Sequence, residues 1–337
     1  MKKTMVCLAA AALCAGVQAQ TTVQLMGLAD VYVGSMRYAG DAKQSSVVGT
    51  SGMTTSWWGM RGSEDLGGGL KANFAFSSFV RLTDGSAGRF NGDTMFARDA
   101  NLSLSGGFGT VLAGRGLAPN FLPTVAFNPI GDSFTFSPLV LHNNQNFLDG
   151  RFPRINPSDT GWSSQVLYTT PDMAGLKANI HYQLAGVAGK KDVGANLMYF
   201  KGPVGLTAYI ERDQLTNPTV AAFNDGSTKT VWMVGGSYDA GIVKAFATLG
   251  ESKTNLSALK QKTYSLGASA PLSASGKLLA GYANSKVNTT GIKRQTLTVG
   301  YDHFLSKRTD AYVMVMSDKI TNKTSGTSVG VGVRHRF

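Results

Sequence analysis

Two arginines close the chain in GVGVRHRF, residues 330–337, standing two apart at Arg334 and Arg336. Read in twos, Val329, Val331, Val333, His335 and Phe337 fall on one face of an extended segment, and Gly330, Gly332, Arg334 and Arg336 on the other. The spacing recurs. Arg61 in GMRG, Lys71 in LKANFAFS and Lys177 in LKANIHYQ each share a face with small or polar residues. Cationic groups set along one face of extended chain suit electrostatic selection: they raise the local concentration of anions along a surface. His181, on the same face as Lys177, adds charge at low pH. The alternative is a set of solvated charges near a rim, with little field where it matters.

Other chemistries find no footing. His142, His181, His303 and His335 show no close metal-ligand spacing. EDLGGG (64–69) lacks the Gly-Lys-Ser/Thr of a phosphate loop and precedes an alternating segment, so it reads as a turn. No local signature supports a Ser-His-acid site. No enzyme activity, cofactor or metal is expected.

The elements that must position these charges are strands. Leu70, Ala72, Phe74 and Phe76 alternate with Lys71, Asn73, Ala75 and Ser77; Leu176, Ala178, Ile180 and Tyr182 with Lys177, Asn179, His181 and Gln183; Tyr264, Leu266, Ala268 and Ala270 with Thr263, Ser265, Gly267 and Ser269. The connections alternate too. Seven short turns, such as GGFG (106–109) and LSKRT (305–309), separate eight longer polar segments near 36–52, 81–97, 116–160, 185–192, 213–229, 250–262, 284–293 and 317–327. Fifteen connections join sixteen strands of about 8–12 residues, the signature of an outer-membrane barrel. At that size the lumen is an aqueous channel, with apolar faces to lipid and polar faces inward. The terminal strand must pair with the first, near Val23 to Val33, and Phe337 belongs at an interface girdle of aromatics. AYVMVM (311–316) and TVWMVGG (230–236) are apolar on both faces; a neighbouring subunit or an inner loop could cover them.

Residues 1–19 carry Lys2, Lys3, an apolar stretch and Val17-Gln18-Ala19, a signal peptide with cleavage expected after Ala19. Cys7 and Cys14 leave with it, so residues 20–337 hold no disulfide. The formal charge falls only from +12 to +10. Export argues against nucleic acid as the partner of this basic chain and leaves membrane surface and small anions. The long segment at about 116–161 carries Phe121, Phe127, Phe134, Phe136, Phe147 and Phe152. Six phenylalanines on an outer loop would be an exposed apolar hazard, so the loop is expected to fold against the inner wall.

GMRGSEDLGGGLKANF (59–74), RDANLSLSGGFGTV (98–111), LYTTPDMAGLKANIHY (167–182), LGASAPLS (266–273) and GVRHRF (332–337) together resemble the general porins of the β-proteobacterial outer membrane, the neisserial-type trimeric porins. The resemblance covers residues 20–337. It implies an all-β, 16-stranded antiparallel transmembrane barrel with a long third loop folded into the lumen. It also implies a homotrimer and passive diffusion of small hydrophilic solutes; the expected partners are outer-membrane lipid, lipopolysaccharide and small anionic or neutral solutes. Phe337 resembles the family's assembly signal.

The resemblance places arginines on the wall at the constriction. Arg98 matches one such position, although strict alternation puts Asp99 on the polar face instead; a bulge would reconcile the two. At two further positions this chain carries Trp57 and Trp162. Lining the eyelet, these indoles would narrow it and favour planar organic anions; packed on the third loop, they would only shape it. Asp132, Asp149, Arg151 and Arg154 are the loop charges expected at the constriction, facing pore-lining Arg61, Lys71, Arg98, Lys177, Arg334 and Arg336. The expected function is a passive channel with a mild anion preference. The alternatives are a channel tuned to particular organic anions and, more distantly, an outer-membrane barrel enzyme.

Overall fold

The computed structural model describes residues 22–143, 160–184, 191–214, 228–254 and 260–337. Their strands form one antiparallel sheet closed on itself. In chain order these are β1 (Thr22–Met36), β2 (Ser45–Thr50), β3 (Trp57–Gly67), β4 (Leu70–Phe79), β5 (Asp99–Gly106), β6 (Gly109–Leu117), β7 (Gly161–Thr169), β8 (Leu176–Gln183) and β9 (Val193–Lys201). There follow β10 (Val204–Gln214), β11 (Thr228–Asp239), β12 (Lys244–Thr254), β13 (Lys260–Pro271), β14 (Gly276–Val287), β15 (Lys293–Phe304), β16 (Thr309–Ile320) and β17 (Gly326–Arg336). Apart from β2 and β3, which do not pair with each other, each strand pairs with its sequence neighbours, and β17 returns to β1 with Leu28 opposite Arg336 and Ser35 opposite Val329. Closure pairs the first strand with the last, because lipid cannot hydrogen-bond to a free backbone edge.

Seventeen segments make sixteen staves. The lower part of β1 pairs with β3 and its upper part with β2, so β2 and β3 are two pieces of one broken stave. The interruption, residues 51–56, folds inward. Tight turns join the staves at one end; at the first, Gly67, Gly68 and Gly69 all take positive φ, which a residue with a Cβ would resist. Several outer loops are shorter than alternation suggests: β12 runs to Thr254 and β13 begins at Lys260.

The faces follow the parity of the sequence. On β17, Val329, Val331 and Val333 are exposed to the outside and Ser328, Gly330, Gly332 and Arg334 are buried within. The lumen also holds an apolar core. The chain after β6 carries two single-turn helices, α1 (Phe121–Ala126) and α2 (Pro138–Asn143), and lies against the inner wall. Ile130, Phe136 and Leu141 of this loop pack with Tyr32, Tyr312, Met314 and Met316. Leu139 packs with Tyr209, Val231 and Met233. This explains the two doubly apolar strands: Val313, Val315, Trp232 and Val234 face outward, while the methionines and Tyr312 opposite them meet the inner loop. Of the six phenylalanines, Phe127 and Phe136 are fully buried; Phe147 and Phe152 lie outside the described residues.

Candidate pore constriction

Among the described residues the inner loop is tied to the wall at several places. Before α1, Asn120 donates from its backbone and side chain to the Glu211 carboxylate on β10, at 3.2 and 2.7 Å, and Asn196 donates to the Pro119 carbonyl at 2.8 Å. In mid-loop, Ser133 Oγ donates to the Gly52 carbonyl at 2.6 Å and Thr135 Oγ1 to that of Ser51 at 3.0 Å. On α2, His142 sits between Ser285 Oγ and Thr296 Oγ1, each 2.8 Å from a ring nitrogen. Burial, with Arg294 close by, holds this imidazole well below the usual histidine range, so it stays neutral. Arg294 itself grips Asp318 through two nitrogens at 2.9 and 3.0 Å and donates to the Leu141 carbonyl at 3.1 Å.

The inward segment 51–56 is held by a buried carboxylate. Asp30 on β1 accepts the backbone amides of Gly52, Met53 and Thr54 at 3.0, 2.7 and 2.8 Å, and the Tyr312 hydroxyl at 2.6 Å. Thr54 then joins wall to loop. Its hydroxyl donates to Asp132 Oδ1 at 2.8 Å and accepts from Arg334 at 2.8 Å. Arg334 is ion-paired with Asp310 at 3.0 Å and lies 3.8 Å from Asp302; Arg336 shares Asp310 at 2.9 Å, and Lys277 reaches Asp302 at 3.4 Å. The terminal arginines therefore face inward, but Arg334 is buried and tied to acids, while Arg336 keeps part of its surface open.

Trp57, Arg98 and Asp99 come together at mid-height. Ser77 on β4 is opposite Asp99, and the register from Lys71 to Ser77 is regular, without a bulge. Asp99 points inward, as alternation requires. Arg98 precedes β5, where alternation no longer applies. Its guanidinium folds back to bond Asp99 and Ser77, at 2.5 and 3.3 Å, and lies 3.8 Å above the Trp57 ring. Both residues thus face the lumen. Below them, Arg61 and Lys71 are exposed on inward positions of β3 and β4, and Arg61 donates to Gln24 at 3.2 Å. Among the described residues neither has a carboxylate at ion-pair distance. Lys177, near the β7–β8 turn, lies 3.9 Å from Asp172, with both side chains exposed.

Trp162 occupies a different setting. A register shift between Gly114 and Gly116, with positive φ at Ser164, turns it inward beside His181, ring centroids 6.0 Å apart and edge-on. It is 5% exposed. Phe337 exchanges backbone hydrogen bonds with Gly27 at 3.0 and 3.1 Å, extending the β1–β17 seam to the last residue. Asp149, Arg151 and Arg154 lie outside the described residues. Sequence reasoning passed over Asp30, Thr54, Glu211 and Arg294. Each was legible as a polar residue on an inward position or loop, but nothing local marks which of them meet the inner loop.

A closed sixteen-stave barrel, narrowed by an inner loop and lined by fixed charges, defines a membrane channel of the porin type. A profile of the Gram-negative porin family matches residues 6–323, and the chain belongs to that family. It is 31% identical to outer membrane porin protein 32 of Delftia acidovorans and 26% identical to an outer membrane porin protein of Bordetella pertussis, over the full length of each chain. Among solved structures, the anion-selective porin from Comamonas acidovorans aligns with TM-score 0.78 at 27% identity, covering 94% of this chain and 100% of that one. OmpT of Vibrio cholerae, in a trimer form, aligns with TM-score 0.70 at 14% identity, over 94% of this chain and 99% of its own, a likeness of fold. The protein is an outer-membrane porin of a Gram-negative bacterium, a passive channel.

Proposed function

We propose that this porin passes small hydrophilic solutes with a mild preference for anions, as a homotrimer. The observation that carries the reading is an asymmetry of access. The inner acids Asp30, Glu211, Asp302, Asp310 and Asp318 are buried, each against amides, hydroxyls or cations. The inward charges that reach water include Arg61 and Lys71, with Arg98, Lys277 and Arg336 in part. Among the described residues, the inward acids that reach water include Asp65, directly opposite Lys71, with Asp99, already bound to Arg98, and Asp132 only in part. A solute therefore meets net positive charge, although the wall contains both signs. The similarity to the anion-selective Comamonas porin at 27% identity supports the same reading. A preference for planar organic anions draws less support, because Trp162 is buried and one face of Trp57 carries Arg98.

The zero-current potential across a potassium chloride gradient in a planar bilayer tests this. A potential toward the chloride limit is expected; a value near zero or toward potassium would sink it. The trimer rests on the family, including the trimer form of OmpT. Cross-linking of the detergent-solubilised protein should stop at three chains.

A further inference from the structure

Glycine weakens a strand interior, and where it persists another group often approaches the backbone closely. Among the described residues, four glycines on inward positions face rigid parts of the inner loop; besides Gly194, whose built Cβ would lie 2.5 Å from Pro119 Cγ, three lie along its middle. A Cβ built on Gly267 of β13 would lie 2.5 Å from Pro129 Cδ and 2.9 Å from Pro129 Cγ. On Gly281 of β14, the residue directly opposite Gly267, it would lie 3.3 Å from Pro138 Cδ and 3.4 Å from Ile130 Cδ1. On Gly330 of β17 it would lie 2.7 Å from Phe136 Cζ. The atoms met are two proline rings and a fully buried phenylalanine, which cannot swing aside like the end of a long side chain. Anchors on either side fix the loop at this depth: Thr298 Oγ1 donates to the Phe136 carbonyl at 2.7 Å, and His142 bridges Ser285 and Thr296.

We infer that Gly267, Gly281 and Gly330 set the width of the pore from behind the loop. They are bare recesses in the wall that let the loop lie flat, and they touch no solute. The lumen space available to solutes is the barrel bore less the thickness of the loop and its distance from the wall. A methyl group at a recess adds to that distance. Packed interiors transmit such a change because there is no void to absorb it. The cavity left behind the loop between Phe127, Pro129, Pro138, Gly267 and Gly281 is only about 10 Å³, space for one water molecule at most.

The test is single-channel conductance of refolded trimers in about 1 M potassium chloride, with folding scored by heat-modifiable gel mobility. Gly267→Ala is expected to lower conductance, and Gly281→Ala, whose contact is looser, to lower it less. Gly236→Ala on β11 is the control: it faces outward, with its nearest contact at an ordinary 3.5 Å from Leu206, and should leave conductance unchanged. Pro129→Ala removes the two ring atoms that collide, so Gly267→Ala combined with Pro129→Ala should restore conductance. Restoration is a readout that general strand destabilisation would not give. If Gly267→Ala fails to fold, Gly281→Ala combined with Pro138→Ala carries the same comparison. Folded Gly267→Ala or Gly281→Ala channels with native conductance, or a loss that the proline substitution leaves in place, would overturn the inference.

Discussion

Arg334 and Arg98 both project inward, yet they differ in kind as charges. Arg334 is buried between Asp302 and Asp310, so most of its field is directed at them. Arg98 is part-exposed, propped on an indole face, and shares one acid. Arg98→Gln should therefore move the zero-current potential toward potassium, since it removes a positive charge at the water surface and leaves Asp99 behind. Arg334→Gln should change selectivity less and stability more. Removing one partner of a buried pair costs about 3–5 kcal/mol, against about 0.5–2 kcal/mol for a cation over an aromatic ring. Comparing reversal potentials and melting temperatures of the two variants separates the effects; equal loss of selectivity in both would contradict the division. Asp132 gives the channel a pH dependence. Burial raises its carboxyl above the usual carboxylate range, against opposing pulls from Thr54, Arg334 and Arg98. On acidification it takes up a proton before ordinary carboxylates do, so chloride preference should begin to rise before ordinary carboxylates titrate. The linkage has the same sign. A raised folded-state value contributes stability that is present below the unfolded value of about 3.9 and is lost as pH rises through the folded one. In Asp132→Asn the early step should vanish, with the higher preference already present at neutral pH. An unchanged titration would assign the step to another acid.

Among the elements, the broken second stave brings residues 51–56 into the lumen, held chiefly by one carboxylate. Asp30 satisfies three backbone amides of the inward segment and the Tyr312 hydroxyl. Asp30→Ala would leave these buried donors without their acceptor, each costing about 1–3 kcal/mol. The variant should melt earlier and be cut by protease within residues 51–56 before the strands are attacked; native resistance there would show that Ser133 and Thr135 hold the segment alone. How far the sequence reveals this architecture follows from what alternation can report. Period two distinguishes two faces, and it places the strands, the closure and the lipid side, as on β17 and β8. The inner face, however, meets two surroundings, water and the loop. Met314 and Arg61 are both inward, and no local pattern tells one environment from the other. Alternation also fails where the backbone leaves it: Arg98 stands before its strand, and the shift near Ser164 reverses Trp162. Asp30 reads as one more polar residue in β1 until residues 51–56 are seen folded over it.

For the whole molecule, the question is how far its fixed charges reach into the water column. Arg61, Lys71 and Lys177 lie on β3, β4 and the start of β8, toward the short-turn end, and are bathed in solvent. Charges of this kind act over a Debye length, about 10 Å at 0.1 M salt and about 3 Å at 1 M. In a bore wide enough for hydrated solutes, the lower salt lets them cover the ion path, and the higher salt confines them to the wall. Anion preference should then fall toward unity as the mean potassium chloride concentration rises from about 0.1 to about 1 M. Substituting Arg61→Gln and Lys71→Gln together should flatten the curve at its low-salt end. A preference that persists at the high-salt end would place the deciding charge within a few ångströms of the ions, and Arg98 on Trp57, at mid-height opposite the inner loop, is the residue positioned for that. The salt series thus separates a selective vestibule from a selective constriction in a barrel whose wall supports both.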